Sequence, residues 1–389
     1  MHVSLSSLGT FNRIGSAGAR EAATALTTLT GLDTFVETTK IHFSHRSDAE
    51  PLLSDGERRV AISFDGALEG RAMLRFDSTC ADLVLSNLEG AGPDPDAAYL
   101  DEVANIVTSH FIDGWAQTMD GTIDISTPVP LGDPSRIVPT DATDEETMFI
   151  FNSVIEVSTG HYCEFYLLPD TRTLLETLEE QATTGEEMAV GLEELNALLH
   201  LTVAGSEMVA DSLEAMTGME TDVRVSQLDF VPIENVSNAL GPEQYLGTVF
   251  ELEGPMEGYL AVLFEETAAQ EAVESMVPDA TGDEALRQSA LEELGNVTAS
   301  GFVDGWANAL GTTIDHSVPD VVDDMGRALL ESIAVRLGQS QDFAYVFDVT
   351  VSAGEPFSSR VFAFPEEPGF RNVLASLDGD IDVTSVERL

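Results

Sequence analysis

Residues 291–310 read LEELGNVTASGFVDGWANAL and residues 100–119 read LDEVANIVTSHFIDGWAQTM, so one stretch occurs twice in the chain. The copies lie 191 positions apart and share nine of their twenty residues, including the run Asp-Gly-Trp-Ala. Solenoid repeats recur every ~20–50 residues. This much longer spacing therefore indicates a duplicated domain, and a chain of 389 residues can bury a core in each copy.

Both copies predict helices with one apolar and one polar face. At about 100° per residue, five positions of each copy fall on one stripe. The stripe residues, which we expect in the core, are Leu100, Val103, Val107, Phe111 and Trp115, and then Leu291, Leu294, Thr298, Phe302 and Trp306. The opposite face carries Glu102 with Asn105, and Glu293 with Asn296. Residues three apart are neighbours on a helix, so each copy predicts a carboxylate beside a carboxamide.

A proline follows each asparagine at the same distance, Pro128 after Asn105 and Pro319 after Asn296. The pattern Glu-x-x-Asn with this distant proline resembles the signature of the CheC/CheX/FliY phosphatases of chemotaxis. The resemblance implies four catalytic residues and three that support the motif. The implied catalytic residues are Glu102, Asn105, Glu293 and Asn296, and the supporting residues are Pro128, Ser289 and Pro319.

The family pattern also has an Asp or Ser four residues before the Glu. Ser289 meets this requirement in the second copy, whereas Ala98 stands at the position in the first. The family's other acid–amide pair would fall on the first long helix of each domain. The aligned residues are Arg13 and Ser16, then His200 and Val203, none of which is the required type. We therefore predict that these two helices are structural.

The resemblance implies an α/β (α+β) fold with two tandem CheC-like domains, residues 1–182 and 188–380. Each would be a largely antiparallel sheet packed with long helices. Residues 181–188 read QATTGEEM and are the predicted linker. Local patterns predict strands at 123–128 and 313–318 and helices at 268–276 and 322–337.

The charge of the chain is strongly negative. It contains 69 acidic residues but only 16 arginines and one lysine, Lys40, so its formal net charge is −52. This balance resembles the proteome of an extreme halophile and suggests a halophilic archaeon, because self-repulsion is relieved when salt screens the surface. Such a field makes nucleic acid and anionic lipid poor partners.

The remaining features predict a cytoplasmic protein. Cys80 and Cys163 are two isolated cysteines, which fits a reducing compartment. The N-terminal residues lack the pattern of a signal peptide. The longest apolar runs, such as residues 259–264, have the length of a strand, so we expect no membrane insertion. The seven histidines show no metal-ligand spacing.

The function implied by the resemblance is hydrolysis of the aspartyl phosphate of a CheY-type response regulator. Each asparagine would hold the attacking water, and each glutamate would engage a lysine of the regulator. Magnesium would come from the regulator, so the chain itself needs no cofactor. The receptor deamidase CheD is a second candidate partner. Two alternatives stay open: a non-catalytic adaptor that docks on CheY or CheD, and a FliM-like component of a motility switch.

Overall fold

The computed structural model describes most of the chain, which divides into two compact units, Met1–Leu192 and Glu193–Leu389. The described residues are 2–46, 49, 53, 58–88, 98–119, 121–133, 136–138, 147–158, 160–181, 189–218, 221–240, 244–266, 269–270, 273, 284–352 and 358–377. Most of the predicted linker lies outside them, so the predicted domain limits stay a prediction.

The first unit contains a sheet and two long helices. Its helices are α1 (Leu5–Thr30), α2 (Ser78–Asn87), α3 (Ala98–Thr118) and α4 (Thr171–Gln181). Its strands are β1 (His2–Ser4), β2 (Thr34–His45), β3 (Arg58–Gly66), β4 (Gly70–Phe76), β5 (Ile123–Ile125), β6 (Val129–Pro130), β7 (Thr147–Val157), β8 (Tyr162–Pro169) and β9 (Ala189–Gly191). The strand order is β2-β7-β8-β4-β3-β5, and each neighbouring pair is antiparallel.

The second unit repeats this arrangement. Its helices are α5 (Leu192–Thr217), a 3₁₀ helix (Ile233–Ala239), α6 (Glu284–Leu310), α7 (Gly326–Leu337) and α8 (Glu367–Leu377). Its strands are β10 (Asp222–Pro232), β11 (Gln244–Glu253), β12 (Gly258–Glu265), β13 (Asp315–His316), β14 (Asp320–Met325), β15 (Phe343–Ser352) and β16 (Ser358–Pro365). The order β10-β15-β16-β12-β11-β13 matches the first sheet strand for strand. The predicted fold class is confirmed.

The repeated helices α3 and α6 bury the stripe that the sequence predicts. Every stripe residue of both copies is at most 5% exposed. Trp115 packs edge-on against Phe151 at 4.8 Å between ring centroids, and Trp306 packs in the same way against Phe347 at 4.8 Å. The tryptophans are therefore core residues that fix each helix to its sheet.

Glycines set the distance between the long helices of each unit. A Cβ on Gly114 of α3 would lie 3.2 Å from the Cα of Gly18 in α1. In the second unit, a Cβ on Gly305 of α6 would lie 2.5 Å from the Cα of Gly205 in α5. The glycine of the repeated Asp-Gly-Trp-Ala run is thus required by a close backbone crossing.

The structure corrects the bounds of three predicted elements. Residues 322–325 are not helical but belong to β14, which pairs with the outer side of β11 and satisfies backbone groups there. The strands predicted at 123–128 and 313–318 are confined to β5 and β13. Of the helix predicted at 268–276, residues 269–270 and 273 are described and are helical. Cys80 and Cys163 are both buried as free cysteines, and their proximity, together with burial, raises the pKa of Cys163.

Candidate functional site

The structure places both acid–amide pairs on the outer faces of the repeated helices. Glu102 and Glu293 are exposed, and Asn105 and Asn296 are half-buried. This pattern follows from the helical period, because the apolar stripe turns the opposite face of the same helix away from the sheet. The supporting residue Ser289 is also exposed, one turn before Glu293.

A serine anchors the loop that carries each motif proline. The Ser126 amide donates to the Ser63 carbonyl (2.8 Å), and the Ser63 amide donates to Ser126 Oγ (2.9 Å). Ser317 makes the same two bonds with the backbone of Glu251, at 2.9 and 3.0 Å. Each serine thus extends the pairing of a short strand by one residue. This role of the two serines was not predicted, although the pattern Ser-x-Pro occurs in both copies.

The loop and the helix enclose an open cleft in the first unit. Its volume is about 430 Å³, and it is lined by Asp101, Glu102, Asn105, Ile125, Ser126, Thr127 and Pro128. The fold therefore brings the predicted Glu102, Asn105 and Pro128 to one site, although Pro128 is 23 residues from Asn105 in sequence. In the second unit, α6 packs against β13, which precedes the loop of Pro319.

The functional groups of both pairs are free to meet a partner. Within the described part of the chain, neither the carboxamides of Asn105 and Asn296 nor the carboxylates of Glu102 and Glu293 form a hydrogen bond or ion pair with protein. A carboxamide can donate and accept at the same time. Each asparagine can thus orient a water molecule without first breaking an internal contact.

Asp101 is a cleft residue that the sequence analysis did not select. It lies one turn before Asn105 and lines the same cleft. Partial desolvation raises the pKa of its carboxyl group above the ordinary value. The equivalent residue of the second copy is Glu292, whose Oε1 accepts a hydrogen bond from Gln288 Nε2 at 3.2 Å. A second acid therefore stands beside each acid–amide pair.

The two sites differ at one residue of the short strand. Ile125 lines the first cleft, whereas His316 holds the equivalent place in the second unit and lies 3.0 Å from Ser300 Oγ. The equivalent serine, Ser109, instead donates to the carbonyl of Asn105 at 2.7 Å. The residue types alone would not have revealed this difference in bonding.

The helices α1 and α5 carry no acid–amide pair at the aligned positions. Arg13 is exposed and donates to Thr10 Oγ1 at 2.9 Å, while Ser16 is half-buried. His200 is exposed and Val203 is half-buried. The structural role of both helices stays a prediction.

The described residues offer neither a metal site nor a membrane-spanning helix. They contain no group of three or more histidine, cysteine or acidic side chains placed to hold a metal ion. None of the helices described is both long and apolar enough to cross a membrane.

Comparison with known proteins identifies the two repeated segments. A model of the CheC-like family matches residues 97–129 and 286–322, which contain both helix–loop sites. The Halobacterium salinarum protein CheC1, assigned as a CheY-P phosphatase, is 28% identical over 193 residues, which are 48% of this chain and 98% of that protein. The CheY-P phosphatase CheC of Bacillus subtilis is 20% identical over 200 residues, 49% of this chain and 96% of that protein.

Among solved structures, Thermotoga maritima FliY aligns with 46% of this chain and 97% of its own, at 15% identity and a TM-score of 0.38. The class defined by the fold and the repeated segments is an α/β protein of two CheC-like units. Both repeated segments match the CheC-like family, and about half of the chain is similar in sequence to the CheC proteins of Halobacterium salinarum and Bacillus subtilis.

Proposed function

We propose that this protein is a phosphatase that hydrolyses the aspartyl phosphate of a CheY-type response regulator and so resets chemotactic signalling. The observation that carries the proposal is the cleft in which Glu102, Asn105 and Pro128 meet, with both polar groups free of partners among the described residues. The two curated relatives bear the name CheY-P phosphatase, which supports the same activity.

In hydrolysis of an aspartyl phosphate, the protein contributes mainly the position of the reacting groups and the neutralisation of charge. Phosphoryl transfer to water has a loose transition state, so catalysis consists mainly of placing the nucleophile in line and neutralising charge. Asn105 and Asn296 hold the attacking water against the phosphorus atom. Glu102 and Glu293 bind a lysine of the regulator and seat the helix over its phosphorylated aspartate. The magnesium ion belongs to the regulator and travels with the substrate.

The test is the timed loss of acyl phosphate from the phosphorylated regulator, in molar salt with magnesium. Asn105→Ala and Asn296→Ala are compared singly and together. We expect the double variant to bind the regulator but to lose most of the acceleration, because misplacing a reacting group by ~1 Å can cost about 100-fold. Gln117→Ala and Asn308→Ala are the matched controls, since both replace exposed amides near the ends of the same helices.

The outcomes separate the competing functions. If the wild-type protein does not speed phosphate loss, the phosphatase proposal is wrong, and binding without acceleration would favour the adaptor function on CheY or CheD. If the double variant is as fast as the wild type, the activity stands but the asparagines do not carry it.

A further inference from the structure

The second unit contains a side-chain bridge between its helix and its loop. His316 Nε2 lies 3.0 Å from Ser300 Oγ on α6, and His316 Nδ1 lies 2.9 Å from the carbonyl oxygen of Ser317. The imidazole ring also packs edge-on against Phe250, at 5.0 Å and 78°. Three contacts from different elements therefore hold one half-buried ring.

The bonding partners define the tautomer of the neutral ring. A carbonyl oxygen can only accept, so Nδ1 must carry the proton that is donated to Ser317. Nε2 of a neutral ring is then an acceptor, and the hydroxyl of Ser300 donates to it. The bridge runs from α6 through the imidazole to the backbone of the loop that carries Pro319.

The first unit cannot form this bridge. Ile125 replaces the histidine, and a hydrocarbon side chain has no hydrogen-bonding atom. The retained serine, Ser109, donates to the carbonyl of Asn105, within its own helix. The loop and the helix that line the first cleft are therefore not joined by an equivalent side-chain bond.

We propose that His316 is a positioning residue that holds the Ser317–Pro319 loop at a fixed distance from Asn296, which makes the second site the preorganised and faster of the two. The inference rests on the proposed function. A site works best when its parts are locked within about 0.5 Å of the productive geometry by neighbouring side chains. Ser300 lies one helical turn after Asn296, so the bridge acts directly beside the proposed catalytic amide.

The first experiment measures the activity of the second site alone, because every variant also carries Asn105→Ala. His316→Ile installs the residue of the first unit. We expect kcat to fall roughly 10-fold with KM nearly unchanged, since a ~1 Å displacement can cost up to ~100-fold. Ser300→Ala should give a similar loss, and the double variant should be no slower than either single variant, because both remove one bridge. Equal kcat values for His316→Ile and its background would overturn the proposal.

A second experiment tests the bridge without using activity. Nitrogen NMR of the His316 imidazole at about pH 8.5 should show the proton on Nδ1 in the full-length protein in molar salt. In Ser300→Ala the Nε2 resonance should shift because its donor is lost. A ring protonated on Nε2, or an Nε2 resonance indifferent to Ser300→Ala, would overturn the positioning role.

The two failures can be told apart. Absence of any acceleration by the wild-type protein removes both the phosphatase function and the role of His316. Acceleration by the wild type, combined with an Asn105→Ala variant slower than the Asn296→Ala variant, leaves the function intact and overturns the inference alone.

Discussion

Glu102 and Glu293 are single charged side chains, and their contribution to folding or binding free energy depends on the groups that they contact. Both are exposed, and neither is paired within the described residues. Their contribution to folding should therefore be small, whereas a charge-assisted bond to a partner is worth about 1.5–3 kcal/mol. We therefore expect both glutamates to contribute to docking on the regulator rather than to folding.

Replacing both glutamates tests this assignment. Glu102→Gln with Glu293→Gln should weaken the apparent affinity for the phosphorylated regulator about 10-fold, or ~1.4 kcal/mol, with little change in kcat. Titration of the initial rate against regulator concentration gives both constants. Asp113→Asn with Asp304→Asn is the matched control, because these exposed acids lie on the same helices beyond the pairs. An equal effect of both double variants would show that only overall charge matters.

The buried thiols provide a test of the core at the residue scale. A hydrogen bond with Cys80 and desolvation raise the pKa of Cys163. Because the thiolate is the nucleophile, alkylation by iodoacetamide at about pH 8.5 should be far slower in the folded protein than in denaturant. Mass spectrometry of the labelled chain measures both rates. Equal rates would mean that the thiol is accessible in the native state.

At the scale of elements, helix position is set by where backbones approach most closely. Gly305 and Gly205 meet at the crossing of α5 and α6, and Gly114 and Gly18 meet at the crossing of α1 and α3. Each crossing glycine lies nine residues, or about two and a half turns, after the asparagine of the acid–amide pair on its helix. A change there should therefore affect stability and the orientation of the site together.

Gly305→Ala tests how much the close crossing of α5 and α6 contributes to stability. Alanine improves helix propensity by about 1 kcal/mol, but its Cβ would lie 2.5 Å from a backbone atom. Overpacking costs typically ~1–3 kcal/mol, so we expect a net loss and a lower Tm in molar salt. Gly15→Ala is the control, since its Cβ would meet only a methyl group at 3.4 Å. If Gly305→Ala were as stable as Gly15→Ala, the close approach of α5 and α6 would be contradicted.

At the scale of the whole molecule, the main feature is the large negative net charge. Even if all 17 basic residues were paired one to one with acids, 52 of the 69 acidic residues would lack a cationic partner (69 − 17 = 52). Ion pairs among the described residues include the half-buried pair of Arg75 and Glu164. The remaining repulsion must be screened by salt.

Dialysis to low salt should unfold the protein. At about 50 mM salt the Debye length exceeds the ~10 Å of 0.1 M salt, whereas it is ~3 Å at 1 M. Far-ultraviolet circular dichroism should show loss of helix on dilution and its recovery in molar salt. A neutral osmolyte in place of salt is the control, because it does not screen charge. A spectrum unchanged at low salt would refute the prediction.

The sequence by itself determined what depends on local period and on repetition. The 191-residue offset indicated the duplication, the helical period separated the buried stripe from the Glu-x-x-Asn pairs, and the buried tryptophans followed from the same stripe. These predictions succeed because neighbours on a helix are close in sequence.

Only the tertiary structure decided which remote segments meet. It placed Pro128 opposite Asn105, joined His316 to Ser300, brought Cys80 to Cys163 and turned residues 320–325 into an edge strand. Each outcome depends on strand pairing or on a helix crossing between segments far apart in the chain. No local sequence pattern predicts the distances between such segments, because the packing of the whole unit fixes them.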